Sequence, residues 1–278
     1  MSAADTRSTK DLTQTRGARA GAAEIWHERE GTRLFAVASG GADARPLVFI
    51  HGGLADHRAA ALYVGGLEER YRVITPDLRG SGRSRFRGAL TWDALADDVA
   101  GLLDHLGVER AVVGGVSFGS GVALRLALRH PRRVAGLALL SPLFAGAERG
   151  LAPAPREAML RMADFGERAL REGIAALTPL FAELPPAIRA RALAMVASFD
   201  PGSVAATTRF LASEAQPIAS LGELATITAP TLVVPGEDPS HPAEVAAAYA
   251  EHLRDVEVAG PGSASAALLD AFARRLRG

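Results

Sequence analysis

The sequence predicts an α/β protein with a doubly wound, mostly parallel sheet of the eight-stranded type. Three observations favour this fold class. Five short apolar runs, each bounded by proline, glycine or charged residues, are typical of buried parallel strands. They lie at 46–50, 71–76, 110–115, 134–140 and 230–236. Helical patterns alternate with these runs. The crossovers are also long enough for right-handed βαβ units.

An antiparallel hairpin is predicted ahead of the first parallel strand. Residues 24–40, EIWHEREGTRLFAVASG, alternate apolar and polar side chains around Gly31, as strands of a hairpin do. Residues 1–23 are polar and contain no apolar stretch of signal-peptide character. We therefore expect a disordered tail over residues 1–23.

The alternation of strand and helix stops after the sixth strand. Residues 142–222 contain three successive helical segments with no strand pattern between them. We assign 24–141 and 223–278 to an α/β core and 142–222 to an inserted helical cap. Such an insertion would lie over the ligand crevice of an open α/β sheet. Its larger apolar residues either wall a pocket or pack on the core; they are Phe165, Leu177, Leu180, Phe181, Met195, Phe199 and Phe210.

Composition excludes several classes of function. The formal net charge of zero argues against a nucleic-acid partner. The chain has no cysteine, which excludes disulfides, thiolate nucleophiles and cysteine metal sites. No apolar run reaches membrane-spanning length, and no histidine or carboxylate spacing indicates a metal. We expect a cytoplasmic protein that acts on a small molecule without membrane, metal or cofactor, and a homodimer is compatible with this expectation.

The stretch 111–128, AVVGGVSFGSGVALRLAL, passes from a strand pattern through Gly115-Val116-Ser117-Phe118-Gly119 into a helical pattern. Small residues around Ser117 permit the sharp strand-to-helix turn that exposes a nucleophilic Oγ. The Phe118 N–H at the helix start has no intrahelical acceptor and could stabilise an oxyanion. The pattern predicts that Ser117 is a nucleophile; the alternative is a plain glycine turn.

Four motifs, in order, resemble those of the α/β-hydrolase-fold family: FIHGG at 49–53, PDLRGSGRS at 76–84, GVSFG at 115–119 and TLVVPGEDPSHP at 231–242. The resemblance implies that Gly53 supplies a second oxyanion-hole N–H. Leu54 and His57, just beyond it, are candidate substrate contacts, although His57 also fits the first turn of a helix capped by Asp56.

The resemblance also implies a catalytic acid in the loop after the 231–236 run. Asp238 fits the family's Asp-x-x-x-Pro pattern, and Glu237 is the reserve candidate. A different role for Asp238 is to cap the helix that starts near Pro242.

The family's catalytic histidine normally follows the last strand, but the corresponding stretch, 255–272, contains none. His241 is the first candidate to replace it, because it follows Asp238 by three residues and preserves the order Ser, Asp, His. A short separation could prevent one aspartate from orienting an imidazole whose other nitrogen faces Ser117. The alternative is a turn histidine without a catalytic role.

Three functions follow from these residues. The first is serine-dependent hydrolysis of a small, mostly apolar ester, lactone or thioester through an acyl-enzyme on Ser117. The missing histidine leaves open a non-hydrolytic enzyme, such as a cyclase, lyase or acyltransferase. It also leaves open a pseudoenzyme that only binds a ligand. A further alternative concerns the arginines of 79–87, which could bind a substrate anion or be ordinary loop charges.

Overall fold

The computed structural model describes residues 21–276, and an eight-stranded sheet organises them. The strands are β1 (Ala23–Arg29), β2 (Thr32–Ser39), β3 (Arg45–Ile50), β4 (Tyr71–Pro76), β5 (Ala111–Val116), β6 (Val134–Leu140), β7 (Thr231–Val234) and β8 (Val256–Val258). Their order across the sheet is β1-β2-β4-β3-β5-β6-β7-β8. The hairpin β1–β2 and the β2–β4 pair are antiparallel, and every other pair is parallel. The predicted fold class is confirmed.

Helices cover both faces of the sheet. The α-helices are α1 (His57–Val64), α2 (Trp92–His105), α3 (Phe118–Arg129), α4 (Pro153–Glu172), α5 (Pro186–Val196), α6 (Pro201–Ala212), α7 (Ala243–His252) and α8 (Ala266–Arg275). Short 3₁₀ helices lie at Leu67–Glu69, Pro131–Arg133, Ile174–Phe181 and Leu221–Thr226. Helices α1 and α8 pack on one face, while α2, α3 and α7 pack on the other.

The strands contribute to both core clusters because successive side chains of a strand point to opposite faces. In β3, Val48 and Ile50 join the cluster with α2 and α3, whereas Leu47 and Phe49 join the cluster with α1 and α8. All four side chains are buried. This explains why the parallel strands have continuous apolar runs rather than alternating ones.

Between β6 and β7 lie the helices α4, α5 and α6 and two 3₁₀ helices, Ile174–Phe181 and Leu221–Thr226. Helices α4 and α6 lie close together, since a Cβ placed on Gly166 would lie 2.1 Å from Thr208 Oγ1. A third apolar cluster joins this segment to the loop after β3 through Leu54. Its buried members are Leu54, Ala169, Leu177, Val196, Phe199 and Val204.

The predicted tail lies outside the described residues except for its last three. Ala23 already belongs to β1, where it pairs with Ala38, so the predicted boundary is late by one residue. In the described range, 21–276, the helices are all too short or too polar to cross a bilayer.

Candidate active site

Ser117 occupies a sharp turn between β5 and α3. Its backbone has φ 54° and ψ −118°, a conformation that is strained for a residue with a side chain. Glycines on both sides make the turn possible. A Cβ on Gly115 would lie 2.2 Å from the Gly119 carbonyl oxygen, and one on Gly119 would lie 2.4 Å from the Ile50 carbonyl oxygen. The G-x-S-x-G spacing is therefore a steric requirement of this turn.

His241 lies beside Ser117. Its Nε2 is 2.9 Å from Ser117 Oγ, and its Nδ1 is 2.9 Å and 3.1 Å from the two carboxylate oxygens of Asp238. These distances are within hydrogen-bond reach. The structure thus brings together the three residues that the sequence analysis selected, in the relative arrangement of a serine, a base and an orienting acid.

A tight turn permits this arrangement despite the three-residue separation. The Asp238 carbonyl accepts a hydrogen bond from the His241 N–H at 2.9 Å, and its carboxylate accepts one from the Ser240 N–H at 2.8 Å. The turn folds His241 back over Asp238, so one ring edge meets the carboxylate while the other meets the serine. The geometric objection to so short a separation does not apply here.

Gly236 fits closely against the histidine. A Cβ at this position would lie 2.3 Å from His241 Cβ and 2.5 Å from the His241 carbonyl oxygen. Real Cβ atoms essentially never approach other atoms this closely, so any side chain at residue 236 would displace the His241 backbone.

Asp238 is largely exposed to solvent. The Asp238 side chain is 57% exposed, whereas that of His241 is 21% exposed. Because solvent screens an exposed carboxylate, its electrostatic effect on the imidazole is weaker than that of a buried one. Glu237, the reserve acid, lies instead against the loop after β8, where a Cβ on Gly262 would be 2.6 Å from Glu237 Oε1.

Two backbone N–H groups border the serine. Phe118 is the first residue of α3, so its N–H has no acceptor within the helix. Gly53 lies in the loop after β3, where a Cβ built on it would lie 3.2 Å from a methyl carbon of Leu211. Both residues line the same cavity as Ser117.

His51 holds the loop that carries Gly53. Its Nδ1 lies 2.7 Å from the Gly52 carbonyl oxygen, and its Nε2 accepts a hydrogen bond from the Leu78 N–H at 3.1 Å. This pairing assigns the proton to Nδ1 and requires a neutral ring. Burial lowers the pKa of His51, against the opposing effect of nearby Asp77, and so favours that neutral state.

The cavity at Ser117 has a volume of about 270 Å³. Most of its wall is apolar, contributed by Leu54, Met159, Met162, Leu180, Phe181 and Leu211. Among the cap residues predicted as either wall or packing, Leu180 and Phe181 line the cavity. Phe165, Leu177, Met195 and Phe199 belong to the third apolar cluster instead, and Phe210 packs against Trp92. Met159, Arg161 and Met162 of α4 also line the cavity, and none of them was a candidate from the sequence.

Of the two candidate substrate contacts, only Leu54 lines the cavity. His57 donates from Nδ1 to Asp77 Oδ1 at 2.7 Å, and its ring packs edge-on against Phe35. Asp56 caps α1 by accepting from the Arg58 N–H. The assignment of His57 to substrate binding is therefore corrected: His57 does not line the cavity, its Nδ1 is occupied by the buried Asp77 carboxylate, and it lies at the start of α1 as the alternative states.

Asp56, His57 and Asp77 are close enough to be considered as a metal site. Their ligand atoms are already used: Arg58 binds the Asp56 carboxylate, while His57 and the Arg83 N–H bind Asp77. Burial acts to raise the pKa of Asp77, but the hydrogen bonds from His57 and from backbone N–H groups outweigh it and hold this pKa below its usual range. The cluster is a satisfied hydrogen-bond network.

Three of the four arginines of residues 79–87 are also occupied. Arg79 forms a two-point pair with buried Asp98, at 2.8 and 2.6 Å. Arg87 forms another with Asp200, and Arg83 pairs with Glu24. These three arginines bind carboxylates of the protein itself, which favours a structural role for them.

Comparison with known proteins supplies the family. A family profile described as "alpha/beta hydrolase fold" matches residues 45–182. A thermophilic esterase from Thermogutta terrifontis has a similar structure, with a TM-score of 0.75, 27% identity, and coverage of 93% of this chain and 100% of that one. The chain belongs to the α/β-hydrolase superfamily. The prediction of an α/β-hydrolase enzyme is confirmed at this level.

Curated relatives of this α/β-hydrolase match over shorter segments. Epoxide hydrolase B of Mycobacterium tuberculosis is 38% identical over 148 residues, which is 50% of this chain and 38% of the relative. A 2-hydroxymuconate semialdehyde hydrolase of a Pseudomonas species is 40% identical over 100 residues, or 34% of this chain and 35% of the relative. The matches thus span well under half of each relative's length. The enol-lactonase of Burkholderia xenovorans, with a TM-score of 0.71, 22% identity, and coverage of 90% of this chain and 97% of that one, shares the fold.

Proposed function

We propose that this α/β-hydrolase cleaves a small, mostly apolar ester, lactone or thioester through an acyl-enzyme on Ser117. One observation carries the proposal: His241 Nε2 lies 2.9 Å from Ser117 Oγ while its Nδ1 contacts Asp238. A serine hydroxyl is a weak nucleophile near neutral pH unless a base accepts its proton as it attacks. His241 occupies the position where such a base is needed.

In the acylation step, Ser117 Oγ attacks the substrate carbonyl carbon and its proton passes to His241 Nε2. The carbonyl π electrons move onto oxygen, and the N–H groups of Phe118 and Gly53 stabilise that oxyanion. The imidazolium, paired with Asp238, then gives its proton to the departing alcohol or thiol. Collapse of the intermediate leaves an ester between Ser117 and the acyl group.

In the deacylation step, water takes the position of the leaving group. His241 accepts a proton from the water as its oxygen attacks the acyl carbon. The same two N–H groups bind the second oxyanion. Return of the proton to Ser117 Oγ releases the carboxylic acid and restores the free enzyme. The apolar wall of Leu54, Met159 and Phe181 favours a substrate with an apolar body.

The chemistry of serine separates this proposal from the epoxide-opening activity in one relative's name. Attack of Ser117 Oγ on an epoxide carbon would form an ether, which water does not hydrolyse, so the enzyme would not turn over. Attack on a carbonyl forms an ester, which water does hydrolyse. The non-hydrolytic and pseudoenzyme alternatives depended on the missing histidine, and the position of His241 beside Ser117 favours hydrolysis over both.

A fluorophosphonate probe tests the proposal. We expect covalent labelling at Ser117, none in Ser117→Ala, and labelling slowed by about 10²- to 10⁴-fold in His241→Gln, the usual range for loss of a general base. His252→Gln is the matched control, because His252 is a histidine of α7 whose Nδ1 bonds only its own helix at Ala248 O. This control should label like the parent.

Mass spectrometry during turnover of a slow activated ester gives the second measurement. The intact protein should gain the mass of one acyl group, located on Ser117, and lose it again as the acid is released. A folded protein that stays unlabelled and unacylated between pH 6 and pH 9 would overturn the proposal. Product formation without a trapped acyl group would favour the non-hydrolytic alternative.

A further inference from the structure

Arg161 is a cation in the wall of an otherwise apolar cavity. It lies on α4 among Met159 and Met162, and it lines the same cavity as Ser117 and His241. The described residues that line this cavity include no carboxylate. A cation therefore belongs to the wall of this cavity, and no carboxylate of the described wall balances its charge.

Three other arginines of the same helical segment form ion pairs, whereas Arg171 of α4, which lies outside the cavity wall, forms none within residues 21–276. Arg156 forms an ion pair with Glu214, Arg168 with Glu172, and Arg209 of α6 with Glu167. In residues 21–276 Arg161 makes no such ion pair, although Glu157 and Asp164 lie one helical turn from it along α4. Its guanidinium is available to a ligand.

A guanidinium presents forked N–H donors that match a carboxylate in two-point geometry. Apolar neighbours lower the local dielectric and strengthen such a pair. Arg161 is also exposed to solvent, which limits the gain to that of a partly screened, charge-assisted hydrogen bond. The group it suits is a carboxylate at the end of a substrate whose middle part contacts the methionines.

We propose that Arg161 is a specificity residue that binds a carboxylate of the substrate, so that the preferred ester, lactone or thioester is an anion. This inference rests on the proposed function, which supplies the ester chemistry at Ser117. It adds the class of substrate: a mostly apolar molecule with a negative charge on the acyl or the alcohol side of the scissile bond.

Two pairs of probes test this inference, one pair for each side of the scissile bond. The 4-nitrophenyl monoester of adipic acid and its methyl-capped form differ only in charge on the acyl side. The pair of 4-acetoxybenzoate and its methyl ester differs on the alcohol side. For each pair, the ratio of kcat/KM for the charged and neutral members is compared between proteins, which cancels the intrinsic reactivity of the probes.

We expect this ratio to fall about 10-fold or more in Arg161→Gln for at least one pair, as loss of a charge-assisted hydrogen bond would give. Arg161→Lys should recover part of the loss, because it keeps the charge but not the fork. The matched control is Arg171→Gln, which removes an equal charge from α4 at a residue outside the cavity wall. Its ratio should match the parent's within about two-fold.

Binding without turnover separates this inference from the proposed function. In the Ser117→Ala background, calorimetry should detect monomethyl adipate, with about 10-fold weaker binding after Arg161→Gln and no such change after Arg171→Gln. If the parent protein hydrolyses none of the esters but Arg161→Gln still weakens binding of monomethyl adipate, the proposed hydrolase function is overturned and the proposed anion site is retained. Equal charged-to-neutral ratios and equal binding in parent and Arg161→Gln would overturn the anion site and keep the hydrolase.

Discussion

Two neighbouring loops at the carboxyl edge of the sheet have opposite compositions. The loop after β7, residues 235–242, contains Asp238 and His241, and both side chains engage the site. The loop after β8, residues 259–265, contains only alanine, glycine, proline and serine. The resemblance to α/β-hydrolases implies a histidine in the second loop. In this protein the first loop carries both a carboxylate and an imidazole, and they lie in line with Ser117.

Sheet order explains why this relocation is geometrically possible. Ser117 follows β5, and the strands beyond it are β6, β7 and β8 in turn. With neighbouring strands about 4.8 Å apart, β7 lies about 10 Å from β5 and β8 about 14 Å. A histidine after β7 therefore needs less reach, and a single tight turn delivers it. The site therefore requires an imidazole at a particular point in space beside Ser117, and it does not require that the histidine follow a particular strand.

Moving the histidine from the first loop to the second should have the largest effect on activity. His241→Gln is expected to lower kcat/KM for an activated ester by about 10³-fold. Adding Gly262→His should not restore activity, because Gly262 has φ 69° and its Cβ would lie against the Glu237 carboxylate. Recovery to within 10-fold of the parent would show that either loop can supply the base, and would contradict the distinction between the two loops.

Crowding the first loop should have the next largest effect. In Gly236→Ala the new methyl group would collide with His241, so we expect a loss of about 10²-fold in kcat/KM, as misplacement by an ångström can cause. Gly260→Ala is the control in the second loop, since no atom lies within 4 Å of a Cβ built there. Steady-state kinetics with one activated ester measures both; similar losses in the two variants would contradict the distinction between the loops.

Neutralising the acid should have a smaller effect than in enzymes with buried triads. A buried aspartate can contribute about 10⁴-fold, but Asp238 is 57% exposed and its charge is screened. We expect Asp238→Asn to lower kcat by about 10-fold, and Glu237→Gln to change it by less than two-fold. A loss near 10⁴-fold would indicate that substrate binding excludes water from Asp238.

The smallest effect on activity is expected from the second loop. Ser265 caps α8 by accepting from the Leu268 N–H at 3.3 Å, and loss of such a cap costs about 1 kcal/mol. Ser265→Ala should therefore lower the free energy of unfolding in urea by about 1 kcal/mol, with kcat/KM unchanged. A marked loss of activity in a fully folded sample would give this loop a role in the site.

The sequence predicted most of the sheet because local patterns determine it. The bounds of β4 and β6 agree with the predicted runs, and the hairpin turns at Gly31 as expected. β7 is shorter than predicted and ends at Val234. The next residue is Pro235, which has no N–H to continue the ladder.

The site was less predictable where it depends on tertiary placement. The glycines around Ser117 are local, so the elbow could be predicted from its own residues. The pairing of His241 with Ser117 required the turn geometry at Asp238, which spacing alone does not give. Arg161 required the packing of α4, although its spacing with Ala158 and Met162 was a weak signal that these side chains share one helix face. His57 was misassigned because nothing local reveals its partner, Asp77, 20 residues away.

His51 gives the scaffold a sensitivity to acid. Its ring must stay neutral to accept from Leu78, and its folded pKa lies below the usual 6.5. The unfolded chain therefore binds more protons as the pH falls below about 6.5, so the free energy of unfolding decreases from there through the folded pKa. The urea midpoint should be lower at pH 5.5 than at pH 7.5. The acid limit for storing this protein would then be set in part by a histidine that touches no substrate.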